Sequence, residues 1–320
     1  MRPKKKIRRK KVIVFLIFNL IFAIFMAPFI IFRGPFGDLK VLAVGSIITS
    51  RHPQVVRAFL SEEEISEITK KFNSPGSGAN INRLINVSDP SAGIVIEDIK
   101  GSAFKGKVML IKDPKRIQVA VTKDIGETGQ LLSSMVKESG AIAAINGGGF
   151  DDLNGRGNGA YPMGISVHNG EIVSNDSGNE AVEIIGLDKD GKLIGGKMTA
   201  SEIKSKNIRE AVSFWKTTLV KNGKRGDFID GEWGVAPRSA IGQKEDGTII
   251  FVVIDGRQPT WSIGAKLSDL YQIFLKYGAV NAYNLDGGSS TELVYNQKII
   301  NKPCDFFGER YIPTAFLVMP

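Results

Sequence analysis

The sequence predicts an α+β fold: a mixed β-sheet domain with a few packed helices, preceded by one N-terminal transmembrane helix. Three observations lead there. Residues Val12–Phe32 form an apolar run of 21 residues in which Asn19 is the single polar side chain. Beyond residue 100, short apolar runs alternate with Asn-Gly and Asp-Gly pairs, the signature of strands joined by hairpins. Two later stretches carry apolar residues at helical spacing: Leu131, Leu132, Met135, Val136, and Leu267, Leu270, Tyr271, Phe274, Leu275.

The chain of 320 residues has 42% hydrophobic and 23% charged residues, a globular balance that argues against wholesale disorder. Cys304 is the one cysteine, so no intramolecular disulfide forms, and His52 and His168 are too few for a three-histidine metal site. The net charge of +9 is local. Residues 1–11 hold eight of the 42 bases and no acid, which leaves 34 bases against 33 acids in the rest. A basic tail is not a basic folded face, so nucleic acid is not an expected partner.

Taken in order, residues 1–11 read as a basic cytoplasmic tail and 12–32 as a bilayer anchor. About 20 apolar residues span the roughly 30 Å hydrocarbon core. Flanking positive charge holds its end in the cytoplasm, which places the rest outside, as in a single-pass bacterial surface protein. The rival reading is a cleaved signal peptide. Its apolar core is usually shorter, about 7–15 residues, and Arg33-Gly34-Pro35-Phe36 offers no clean small-residue cleavage site.

Residues 33–100 read as a stalk or pre-domain with a short helix near 61–72. Ser61 and Glu64 make a capping box, and Ile65, Ile68 and Phe72 follow as a stripe. Asn73–Gly78 is a loop by composition. The main domain is assigned to 101–320. There Val108–Ile111 and Ile117–Val121 read as strands around a Lys112–Lys115 turn, and Ile249–Ile254 as a fully buried strand. The pairs Asn169-Gly170, Asp190-Gly191 and Asp246-Gly247 mark hairpins.

An order of helix, Gly-Ala, strand and glycine turn occurs twice, ending at Asn146-Gly147-Gly148 and at Asp286-Gly287-Gly288. Side-by-side parallel strands would bring Asn146 and Asp286 to one sheet edge, where ligands commonly bind.

Four polar, glycine-rich clusters are candidates for chemistry: Asn146–Phe150, Pro237–Gly242, Asp255–Arg257 and Leu285–Thr291. Glycine lets a backbone amide approach a ligand closely and point at an anion. Arg238 and Arg257 carry planar forks that match a phosphate. Asp255 and Asp286 supply the two carboxylates that sugar chemistry needs. Ser289, Ser290 and Thr291 add hydroxyls. Each cluster alone also reads as a plain turn, cap or ion pair. No histidine adjoins them, which gives a Ser-His-Asp triad little support. Asp151-Asp152 lacks the spacing of an EF-hand, and no Gly-Lys-Ser/Thr makes a P-loop. No metal or cofactor is expected.

Together and in this order, the clusters over residues 100–320 resemble those of the phosphodiester glycosidase family. Ser289 stands where that family often has a third glycine, and Ser290 is taken to match its serine. The resemblance implies hydrolysis of a sugar-1-phosphodiester, such as a GlcNAc-1-phosphodiester in a cell-envelope or exopolysaccharide glycopolymer. It implies Asp286, Asp255 and Arg238 as catalytic residues. Asn146, Gly147, Gly148, Ser239, Arg257, Gly287, Gly288, Ser289, Ser290 and Thr291 would bind substrate. Which aspartate attacks or activates water and which assists is open. Two other readings stand beside it: a non-catalytic glycan-binding or scaffolding protein, and a glycosyl transferase on the same fold. Trp215, Trp233 and Trp261 are core residues or sugar-stacking rings.

Overall fold

The computed structural model describes residues 4–48, 53–73, 81–89, 92–152, 157–215, 218–229, 233–258, 260–305 and 308–320. The loop expected at Asn73–Gly78 lies, beyond Asn73, outside the described residues. The chain divides into two units, Met1–Ser74 and Pro75–Pro320.

The first unit is helical. Its helix α1 (Lys4–Arg33) holds a stretch, Lys10–Arg33, long and apolar enough to cross a membrane by length and composition. The thirteen apolar side chains between Val12 and Phe25, broken only by Asn19, are exposed, which water does not favour and lipid does. Helices α2 (Gly37–Ile47), α3 (Pro53–Arg57) and α4 (Glu62–Asn73) follow. Phe32, Val44, Val56, Leu60 and Ile65 form a small core. The expected capping box is present: Glu64 N donates to Ser61 Oγ at 3.2 Å, and Ser61 N to Glu64 Oε2 at 2.8 Å.

The second unit is built mainly of strands. They begin with β1 (Asn82–Asp89), β2 (Ile94–Lys100), β3 (Lys105–Ile111) and β4 (Ile117–Val121). Helix α5 (Leu132–Ser139) leads to β5 (Ala143–Asn146). Hairpin β6 (Ile165–His168) and β7 (Glu171–Asn175) turns at Asn169-Gly170, both at positive φ as the sequence pair predicts. Then come β8 (Val182–Asp188), β9 (Leu193–Met198), α6 (Ala200–Ser205) and β10 (Ile208–Ser213). The remaining strands are β11 (Thr218–Lys221), β12 (Lys224–Arg225), β13 (Arg238–Lys244) and β14 (Ile249–Ile254). Helix α7 (Leu267–Lys276) and β15 (Ala279–Asn284) precede β16 (Leu293–Tyr295), β17 (Lys298–Ile299) and β18 (Thr314–Val318).

These strands form three sheets, ordered β1-β2-β3-β14-β13-β15-β11-β12, β7-β6-β10-β8-β9 and β17-β16-β5-β18-β4. Residues 82–100, which the sequence pattern places in a stalk or pre-domain, thus extend the largest sheet. The fold is α+β with few helices. Its recorded pairings among the described strands are antiparallel, where a mixed sheet was expected. The cause is local. Strands β14 and β15 share a direction across the α7 crossover, but β13 lies between them and pairs antiparallel with each.

Period-two burial assigns each face. In β14, Ile249, Phe251 and Val253 enter a core shared by all three sheets, while Ile250, Val252 and Ile254 enter a second core under α7. In β5, Ala143 and Ile145 face the first core and Ala144 faces α5. The repeated strands β5 and β15 are therefore not neighbours in one sheet, as parallel pairing would require. They belong to different sheets and share the central core, where Ile145, Tyr283 and Leu285 cluster. Their carboxyl ends still meet.

Candidate functional site

The meeting point is Asn146, the last residue of β5, which is 1% exposed. Its Nδ2 donates to the main-chain O of Asp286 at 2.6 Å. Its Oδ1 accepts from Ser239 Oγ at 2.6 Å and from Glu292 N at 3.2 Å. One amide side chain thus ties β5, β13 and the turn after β15 together, and its polar atoms are engaged within the protein. Gly147 and Gly148 run against β18 and β10: Gly148 N donates to Thr314 Oγ1 at 2.9 Å. A Cβ on Gly148 would lie 2.4 Å from Ser213 O, so this close approach requires glycine.

Asp286 opens a turn. Its Oδ1 accepts from Gly287 N at 3.0 Å, and Gly288 N donates to Pro237 O at 2.9 Å. Burial pushes the Asp286 carboxyl up to about 6. The Ser290 hydroxyl, Arg310 and the Gly287 amide pull the other way, and Asp152 adds to the rise. Gly288 has φ +62, and a Cβ there would lie 3.1 Å from Arg257 Nη1, so the arginine fork rests directly on the turn. Ser289, Ser290 and Thr291 are buried, and the Ser290 and Thr291 hydroxyls form no geometrically sound hydrogen bond.

The two arginines differ. Arg238 is 4% exposed, and its guanidinium is committed to main-chain carbonyls: Nε to Ala265 O at 3.1 Å, Nη2 to Trp233 O and Gly234 O at 2.7 Å each. Burial, then neighbouring Arg257, disfavours its charge. Nε and Nη2 are thus held by the protein, which leaves Nη1 as the part of the expected phosphate fork that could meet a ligand. Arg257 is only half-buried, its Nε has no partner, and it sits at φ +57. A non-glycine residue held in that region costs roughly 1–3 kcal/mol and commonly marks a functional position.

The two aspartates differ in the same way. Asp255 is 4% exposed. Its Oδ2 accepts from Trp261 Nε1 at 2.8 Å, and its Oδ1 from Lys302 N at 2.9 Å and Asn301 Nδ2 at 3.1 Å. These three bonds fix the loop around it and leave about one of its four acceptor sites open. Asp286 accepts a single described main-chain bond and is half-buried.

The structure adds groups that no sequence spacing singles out. Arg310 stacks over Phe150 at 4.6 Å from the ring centre and donates from Nη2 to Asp152 Oδ1 at 2.6 Å. It lies near enough to Asp286 to favour its charged form. Glu292 is fully buried: Oε1 accepts from Arg310 N at 3.0 Å and Oε2 has no partner. Burial pushes its carboxyl up to about 8, with Glu309 and Asp305 adding to the rise. The one faint sequence signal is a lone acid at the edge of the apolar run Leu293–Tyr295. Among the described residues, His, Cys, Asp and Glu side chains do not gather into a group of three that could hold a metal. Of the tryptophans, Trp233 packs edge-on against Phe214 at 5.4 Å, whereas Trp215 and Trp261 are exposed.

A family model described as phosphodiester glycosidase matches residues 139–319, more than half of the chain. The chain is 31% identical over 202 residues to the SPbeta prophage-derived uncharacterized protein YomE of Bacillus subtilis, covering 60% of this chain and 30% of that one. It is 27% identical over 191 residues to the bovine N-acetylglucosamine-1-phosphodiester alpha-N-acetylglucosaminidase, covering 54% of this chain and 35% of that one. The chain thus spans about a third of the length of these curated relatives. The catalytic domain of the zebrafish enzyme of that same name superposes with a TM-score of 0.58 over 77% of this chain and 85% of that one, at 22% identity. That likeness is one of fold.

Proposed function

The chain belongs to the phosphodiester glycosidase family, and we propose that it hydrolyses the bond between the anomeric carbon and the phosphate oxygen of a sugar-1-phosphodiester. The observation that carries the reading is the Asp286 turn. A carboxyl poised at about 6 stands there beside Arg310, with the half-buried fork of Arg257 resting on Gly288. A base near neutral pH and a cation for the leaving phosphate are what this reaction needs. The names of the bovine, mouse and human relatives support GlcNAc as the first sugar to test.

In this reading Asp286, ionised above its raised pKa, takes a proton from water. The water oxygen bonds to the anomeric carbon as the carbon–oxygen bond to phosphate breaks, and the electron pair leaves on the phosphomonoester. A phosphate is a stable leaving anion, so electrostatic help matters more than protonation. Arg257 supplies it, with the Gly287–Ser289 turn bordering the sugar and the buried Ser290 and Thr291 hydroxyls behind that turn. Arg238, Asp255, Asn146, Ser239, Gly147 and Gly148 hold these groups in place through the bonds described above.

The apolar stretch of α1, with its eight neighbouring bases, supports a single-pass anchor, its basic end cytoplasmic and the enzyme outside. The unit Pro75–Pro320 supports a catalytic domain that begins ahead of residue 101. Cell-envelope glycopolymers are then the accessible substrates. The test is to incubate the detergent-solubilised full chain with an α-GlcNAc-1-phosphodiester. Free GlcNAc and phosphomonoester should appear in equal amounts, and neither in Asp286→Asn. A folded protein that releases neither would end the hydrolase reading.

A further inference from the structure

Beside the Asp286 turn lies a second cationic feature. Trp261 is 39% exposed, on a tight loop closed by Trp261 N and Ser262 N donating to Gln258 O at 2.9 and 2.8 Å. Its one polar atom is pinned to buried Asp255 at 2.8 Å, so the ring's orientation is fixed before any ligand arrives. Lys105 Nζ stands 3.6 Å from the ring centre and Lys302 Nζ 5.2 Å from it. Among the described residues neither ammonium has a carboxylate partner. Nearby Asp255 accepts from three neutral donors, Trp261, Asn301 and Lys302 N, so its charge offsets one of the two ammoniums and the cluster stays net positive.

Two ammonium groups this close to one ring make the surface around it locally positive, which attracts an anion. The ring attracts each of them by only about 0.5–1 kcal/mol at an exposed site. On the Lys105 side, Trp261 borders a shallow cavity of about 150 Å³ lined also by Lys100, Lys105 and Thr260. Two connections join it to the proposed catalytic turn. Asp255 precedes Arg257 by two residues. Asn301 Nδ2 donates both to Asp255 Oδ1 and to Thr291 O, each at 3.1 Å.

We infer that the Lys105–Trp261–Lys302 face is a second anion subsite, which holds a further phosphate of a polyanionic glycan chain while one sugar-1-phosphodiester lies at Asp286. This rests on the reading given under Proposed function and adds the substrate's class: a chain with repeated phosphodiesters, not an isolated sugar phosphodiester. The cations Arg257, Lys302 and Lys105 would follow successive phosphates outward from the turn.

The test uses the full chain in detergent and two probes: methyl α-GlcNAc-1-phosphodiester, and a three-repeat oligomer of GlcNAc-1-phosphate. In the double variant K105Q/K302Q, KM for the oligomer should rise about tenfold, as two exposed charge contacts together predict. Its kcat should hold, and both constants for the small substrate should stay unchanged. K105R/K302R should restore the oligomer KM, and high salt should erase the difference between wild type and K105Q/K302Q. Equal effects on both substrates, or none on the oligomer, would overturn the subsite. If wild type turns over neither probe, the hydrolase reading fails. The subsite is then decided by oligomer binding, expected to weaken in K105Q/K302Q and contradicted if it does not.

Discussion

Asp286 and Glu292 are both carboxyls raised by burial, yet they predict different things. Asp286 faces the turn with a pKa of about 6, so kcat/KM should rise through pH 6 as the base ionises. Asp286→Asn should lower kcat by about 10²–10⁴-fold with the melting temperature retained. Arg257→Ala should lower kcat/KM by about 10²-fold, and lysine should restore it poorly, because a point charge does not replace a planar fork. Glu292 instead affects stability. Its folded pKa of about 8 lies above its unfolded value, so the folded state binds the extra proton. That contribution is fully present below about pH 4.5 and is lost as pH rises through 8, at up to about 1.4 kcal/mol per pH unit. Denaturant titrations at pH 5, 7 and 8.5 should show wild type losing stability relative to Glu292→Gln across that range; parallel curves would contradict the assignment. At this scale the sequence shows Asn146 and Asp286, because glycine turns and carboxamides declare themselves by type. It does not separate Arg257 from Arg238, or Asp286 from Asp255, since the difference lies in which partners fill their polar atoms. Arg310 and Asp152 meet across 158 residues of chain, a juxtaposition no local spacing encodes.

The strands were legible where alternation or Asn-Gly and Asp-Gly pairs mark them. The β6–β7, β8–β9 and β13–β14 hairpins turn where those pairs stand. Helices α5 and α7 lie where their apolar spacing predicts. The partnering of β5 and β15 was not legible, because order along the chain does not say which strand lies between two others. Strand β14 is the element most deeply enclosed, with each of its six residues at 0% exposure. Phe251→Ala should therefore lower unfolding free energy by about 3–5 kcal/mol in a denaturant titration. A loss under 1 kcal/mol would mean that the three sheets do not share the core described.

On the scale of the whole chain, charge and hydropathy separate cleanly. Nearly all the excess positive charge lies in residues 1–11, ahead of the apolar stretch of α1, and the remainder is close to neutral. Replacing Leu16, Phe18, Leu20 and Phe22 with lysine, at roughly 2.5–3.5 kcal/mol each near the bilayer centre, should move the protein from the carbonate-washed membrane pellet to the supernatant. In intact cells, protease added outside should digest the domain of the wild-type chain; full protection would reverse the proposed orientation. The central claim concerns which bond breaks. Hydrolysis of α-GlcNAc-1-phosphodiester in oxygen-18 water, read by mass spectrometry, addresses it directly. Attack at the anomeric carbon predicts one heavy oxygen in the released GlcNAc and none in the phosphomonoester. A heavy oxygen in the phosphate would mean that the site breaks the phosphorus–oxygen bond and would contradict the account given for Asp286 and Arg257.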